Sequence, residues 1–120
     1  MSRQTRPKFA ATCRACAEEC ATDDPNEIVE FYRRHHSLTG HDVEWERADL
    51  PVLERVPLDA DLQSVVEALD EHYENGVPLG VVTAAASRRG ATVGETLEEV
   101  REVRLTGRFW EPSDDRISAY

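Results

Sequence analysis

Cys13-Arg-Ala-Cys16, followed downstream by His35-His36-Ser-Leu-Thr-Gly-His41, constrains this chain more than any other stretch. Two cysteines separated by two residues can turn both thiolates onto one ion from a tight knuckle. Histidines on the last turn of a helix and just beyond it can converge from the other side. Eighteen residues lie between Cys16 and His35 and five between His35 and His41, close to finger spacing with a longer middle. The expected metal ligands are Cys13, Cys16, His35 and His41, holding one structural zinc ion. His35 is preferred to His36 because it continues the Ile28–Phe31 helical face, whereas His36 falls about 100° away, toward the Val29–Tyr32 edge. His36 and Cys20 remain alternatives for a ligand position. With four protein ligands, no coordination position is left for water, which argues against a catalytic zinc.

A unit of about 40 residues rarely buries enough apolar surface to fold unaided, so a metal or a disulfide is expected there. The chain has three cysteines, all between positions 13 and 20. Their odd number and close clustering favour metal ligation in a reducing compartment over a disulfide framework. No apolar run approaches membrane-spanning length, and no signal-peptide core follows the polar N-terminus. A cytoplasmic protein without membrane contact is the expectation.

The elements follow from punctuation and periodicity. Residues 1–8 form a basic arm with Arg3, Arg6 and Lys8. Residues 9–46 form the finger. It starts with a strand over Phe9–Thr12 and continues through a polar loop containing Glu18, Glu19, Thr22, Asp23 and Asp24. Asp24 caps a helix with Pro25 at its first position and Glu27 in a capping-box place. Ile28, Phe31, His35 and Leu38 share one face of that helix, and Gly40 stops it. Val43 and Trp45 then alternate with acidic residues as a covering strand. Residues 47–60, with Pro51 and Pro57, read as an extended linker, partly packed through Leu50, Val52, Leu53 and Val56. In residues 61–120, Leu62, Val65, Val66, Leu69 and Tyr73 mark a helix over about 61–74. A second helix opens at Pro78, with Leu79, Val82, Ala85 and Ala86 inward. Ala91 and Thr92 turn the chain into a third helix over Val93–Thr106, with Leu97, Val100, Val103 and Leu105 as its apolar set. A hairpin follows, with Phe109 and Trp110 expected in its core and base stacking as their alternative role. The fold class is α+β: an N-terminal ββα(β) zinc finger followed by a winged helix-turn-helix of three helices and a C-terminal β-hairpin.

The Thr39-Gly40-His41-Asp42-Val43 stretch resembles small zinc-finger proteins of halophilic archaea. The net charge of −10, with Lys8 as the only lysine, is similar to proteins of salt-accumulating archaea. In molar salt the Debye length shrinks to about 3 Å, so net charge alone neither supports nor excludes a polyanionic partner. Residues 62–120 resemble the C-terminal winged-helix domain of archaeal minichromosome maintenance helicases. The shared features are Tyr73-Glu-Asn-Gly76, Val77-Pro78, a helix dense in Glu and Arg, and Gly107-Arg-Phe-Trp-Glu-Pro112 leading to Arg116-Ile117. The resemblance implies a role in contacting nucleic acid or replication proteins, and no helicase activity, since the ATPase machinery is missing.

Function is therefore expected to be DNA binding in transcription or replication regulation, without catalysis. Arg14, Arg33, Arg34, Arg88, Arg89, Arg104, Arg108 and Arg116 are the candidate phosphate contacts. The alternative is a protein-interaction adaptor that docks the acidic third helix (Glu95, Glu98, Glu99, Glu102) on a basic transcription or replication protein. Winged-helix regulators are often dimers, which leaves a second copy as a further partner. No nucleophile–base set is present, and His72 stands alone.

Overall fold

The computed structural model describes residues 6–120. Of the basic arm, residues 1–5, Arg3 among them, lie outside the described residues. The described residues form an α+β structure with four α-helices and two three-stranded antiparallel sheets.

Strand β1 (Phe9–Thr12) turns through the cysteine knuckle into β2 (Glu19–Thr22), with Ala11 opposite Cys20. The Cys13 amide closes the knuckle by donating to the Glu18 carbonyl at 3.0 Å. β2 replaces part of the expected polar loop. It is an edge strand that presents Glu19 to water and turns Thr22 inward, a period-two pattern only four residues long that the polar residues around it conceal. Asp24 caps helix α1 (Pro25–Thr39) by accepting from the Asn26 amide at 3.0 Å. The expected capping box does not form. The Glu27 carboxylate takes the Thr22 hydroxyl instead, and that same hydroxyl accepts from the Asp24 amide. The end of β2 supplies the partner that the cap residue would otherwise have offered.

At the C-terminal end of α1, Gly40 adopts φ 76°, a left-handed conformation natural to glycine, and returns its amide to the His36 carbonyl. Leu38 is exposed rather than inward, because His35 and the returning His41 occupy the inner side of the last turn. β3 (Glu44–Ala48) then pairs with β1, completing the order β2-β1-β3. The linker is not extended. Pro51–Arg55 forms a 3₁₀ turn that plants Leu53 and Val56 in the core, a use of proline at the first helical position.

Helix α2 (Leu62–Asp70) starts at Asp61, whose side chain accepts from the Ser64 amide at 2.8 Å. It stops short of the expected residue 74. The amides of His72 and Tyr73 tighten onto the carbonyls of Leu69 and Asp70, and Gly76 at φ 84° redirects the chain. A short strand β4 (Val77–Pro78) follows. The three-helices-plus-hairpin expectation lacked this strand. Helix α3 (Leu79–Ser87) is buried along Leu79–Ala86 on all sides, not on one face. It packs against α1, α2 and α4, and so lies at the centre of the molecule. Helix α4 (Val93–Leu105) opens with a reciprocal capping box between Thr92 and Glu95, where the sequence suggested only a turn. β5 (Phe109–Trp110) and β6 (Arg116–Ala119) close a second sheet of order β4-β6-β5. Phe109 is buried, but Trp110, expected in the core, is 43% exposed, and Leu105 at the end of α4 is 76% exposed.

Two apolar clusters result. One surrounds Phe9, Ala11, Ile28, Phe31 and Val43, and the other surrounds α2 and α3. Trp45, Ala48, Leu50 and Leu97 pack against both. The halves of the chain thus share side chains across their boundary. Among the described residues, no helix is long and apolar enough to cross a membrane.

Candidate metal centre and the arginine surface

Four local structures deliver the Cys/His group. Cys13 leaves β1, Cys16 ends the knuckle, His35 occupies the last turn of α1, and Gly40 turns His41 back toward them. One ligand atom from each of Cys13, Cys16, His35 and His41 lies within 4.8 Å of all the others. The Cys16 Sγ to His35 Nε2 distance is 3.5 Å. A tetrahedral zinc with ordinary Zn–S and Zn–N bonds would separate its sulfur and nitrogen ligands by about 3.5 Å.

His41 Nδ1 is, among the described residues, the one buried side-chain nitrogen or oxygen without a hydrogen-bond partner. Leaving such a group unpaired costs about 1–3 kcal/mol, and a bound cation would satisfy it. Donor set, spacing and the orphaned nitrogen together fit a zinc ion. The group can therefore hold a metal, in the Cys₂His₂ manner of a structural site.

Thr39, so far met only as part of the Thr-Gly-His stretch, ties the two histidines together. Its hydroxyl donates to the His35 carbonyl at 2.6 Å and accepts from the His41 amide at 3.1 Å. The i, i+4 return from Thr39 to His35 was its only signal. His35 stacks on Phe31 at 5.5 Å, inside the N-terminal core. His36 lies outside the group: its ring stacks on Tyr32, with Nδ1 3.3 Å from the His41 carbonyl. Cys20, on β2, packs against the core instead, and burial raises its thiol pKa. At Cys16 the Glu18 backbone amide pulls the pKa down. Desolvation and the neighbouring Cys13 thiol outweigh it, and the net shift is upward.

Most of the candidate phosphate contacts are engaged within the chain. Arg14 pairs with Glu44 at 2.5 Å, Arg33 with Asp115 at 2.9 Å and Glu30 at 3.2 Å, and Arg104 with Glu111 at 3.5 Å. Arg88 donates to the Leu53 carbonyl, and Arg89 to that of Ala60 at 2.6 Å. Arg116 donates to the Gly76 carbonyl at 2.6 Å, and Arg108 to Gln63 at 3.3 Å. Arg34 borders the open cleft beside His35 and His41. On the last ribbon, Trp110 and Tyr120 stand together, their ring centroids 6.3 Å apart and tilted by 38°.

Comparison with known proteins places these two halves side by side. Residues 10–47 match a family model described as HVO_B0008 N-terminal, and residues 67–117 match one described as HVO_B0008 C-terminal domain. No curated protein and no solved structure matches the chain. These results lend no support to the likeness of residues 62–120 to helicase winged helices. The chain is similar, half by half and in the same order, to the N-terminal and C-terminal domains described under the single name HVO_B0008.

Proposed function

We propose that this chain is a zinc-stabilised nucleic-acid-binding protein, acting in transcription or replication, that takes unpaired bases on its C-terminal ribbon. The observation that carries the reading is the Trp110–Tyr120 pair: two large rings in contact, 43% and 80% exposed. Base stacking on such rings contributes about 1–3 kcal/mol per base and tolerates any sequence. Arg104 and Arg108 stand at the adjoining ends of α4 and β5. This reading takes the order helix, strand, two helices, ribbon as a winged helix-turn-helix, a scaffold that would present such a ribbon. Because most arginines are held by internal partners, few phosphates are neutralised. Single-strand binding should weaken with salt by only about 0.7 in log–log slope per phosphate contacted. The metal is structural in this reading, and the chain binds rather than catalyses.

Titration with single-stranded oligonucleotides at low and molar KCl tests the proposal. Tryptophan emission should be quenched on binding. Trp110→Ala should weaken affinity about tenfold, while Trp110→Phe keeps it. The other tryptophan, half-buried Trp45, donates its indole N–H to Thr83 at 3.1 Å and should not respond. Equal affinity of Trp110→Ala and wild type, or no binding at either salt, would reject it.

One observation favours a second reading, a protein-interaction adaptor. Glu95, Glu98 and Glu102 are exposed along α4, and Arg101 offsets only Glu98, at 3.5 Å. Under that reading, charge reversal at Glu95 and Glu102 abolishes capture of a basic protein and leaves oligonucleotide binding unchanged.

A further inference from the structure

The segment that follows the last metal ligand continues directly into a contact with another helix. A helix starts with backbone amides that have no partner inside it. At α4, the first three of these are satisfied, two of them from the metal loop. The Val93 amide donates to the Val43 carbonyl at 3.0 Å, and the Gly94 amide to Asp42 Oδ1 at 2.8 Å. The Glu95 amide is held by Thr92 at 3.1 Å. The second oxygen of Asp42 takes the Thr92 hydroxyl at 2.6 Å. A negative carboxylate at this end also suits the helix dipole.

Two further features show that the contact is built. The Val43 amide donates to Asp42 Oδ1 at 2.8 Å, fixing the carboxylate against its own backbone. A Cβ at position 94 would lie 2.6 Å from Asp42 Oδ2 and 2.7 Å from the Tyr32 hydroxyl, so a side chain there would displace the Asp42 carboxylate or the Tyr32 hydroxyl. Glycine at 94 lets the carboxylate reach the helix end.

We propose that Asp42 is a positioning residue that couples occupation of the Cys13/Cys16/His35/His41 group to the N-terminus of α4, a helix of the other half of the chain. The proposal rests on the metal reading above. When His41 binds the ion, the His41–Val43 segment is held and the α4 amides keep their acceptors. When the ion leaves, that segment loosens, and the first turn of α4 loses two of its three caps. The coupling is reciprocal: whatever holds Asp42 at the α4 end also strengthens metal binding. Thr92, fifty positions along the chain from Asp42, thereby contributes to zinc affinity without touching the ion.

Zinc stoichiometry, hydrogen exchange and chelator competition on the full chain test this together. Removing zinc with a chelator should speed exchange at Val93 and Gly94 at least tenfold, while Val65 in α2, whose amide is bonded to Asp61, stays protected. Asp42→Asn and Thr92→Val should each weaken zinc binding about fivefold or more against a chromophoric chelator. Stoichiometric zinc with unchanged exchange at 93–94 and wild-type affinity in both variants would overturn the coupling and leave the metal site standing. Failure of the wild type to bind zinc would overturn both.

Discussion

Stripping the metal at neutral pH, or replacing Cys13 by Ser, should unfold the N-terminal half of the chain. Cys13 is buried among Phe9, Ala11, Ile28, Phe31 and Val43, a cluster too small to hold two four-residue strands and a helix by itself. Structural zinc in small units supplies an apparent free energy of about 10–16 kcal/mol, comparable to the whole stability of an ordinary domain. The readout is built in. Trp45 meets Phe9 edge-on at 5.8 Å, so its emission reports the integrity of β1 and β3. Emission should shift red on chelation and recover with one equivalent of zinc. Acid should act in the same direction. The metal-free Cys16 thiol has a raised pKa, so zinc must displace protons to bind, and its affinity rises with pH and falls toward acid. A chelated chain with unchanged Trp45 emission and unchanged cooperative unfolding would show that the apolar cluster suffices and that the metal assignment is wrong.

What could be read from the sequence depended on whether a residue's role was local. Asp61, Gly40 and the knuckle cysteines act within a few positions of themselves, and the structure places them at a cap, a stop and a turn. The Cys/His group was legible for the same reason, since spacing on a turn and on a helix fixes which side chains can meet. The second strand was hidden because an edge strand with acids on its wet side reads as a loop. The central place of α3 was hidden too. Small residues such as Ala84 and Gly80 look like a weak outer face until another helix is seen lying on them. The partners of the arginines were not legible, because several are carbonyls and carboxylates contributed from distant parts of the chain, as with Arg33 and Asp115 or Arg88 and Leu53. Phe109 and Trp110 do not share the core, because in a two-residue strand alternation sends one of the pair out.

The same logic makes Gly80 the most sensitive position between the two halves. It lies in the first turn of α3, and its amide donates to Asn26 Oδ1 at 2.8 Å. Asn26 in turn donates to the Asp115 carbonyl at 3.2 Å, so one side chain joins the start of α1, the start of α3 and the ribbon. A Cβ at position 80 would land on the Pro25 carbonyl, well inside contact distance, and 2.8 Å from the Asn26 amide nitrogen. These are backbone atoms of a capped helix, and no rotamer change can move them aside. Gly80→Ala must therefore push α1 off α3. Overpacking in cores costs about 1–3 kcal/mol when side chains can yield, and the loss here should exceed about 3 kcal/mol because they cannot. Gly107→Ala is the comparison: φ is 84° there but nothing stands within 4 Å, so only the left-handed penalty of about 1–2 kcal/mol applies. Urea unfolding of the zinc-loaded chain should rank wild type above Gly107→Ala, and Gly107→Ala well above Gly80→Ala. If Gly80→Ala unfolds at the wild-type urea concentration, α1 does not rest on α3 as described, and the two halves are joined more loosely than their shared core implies.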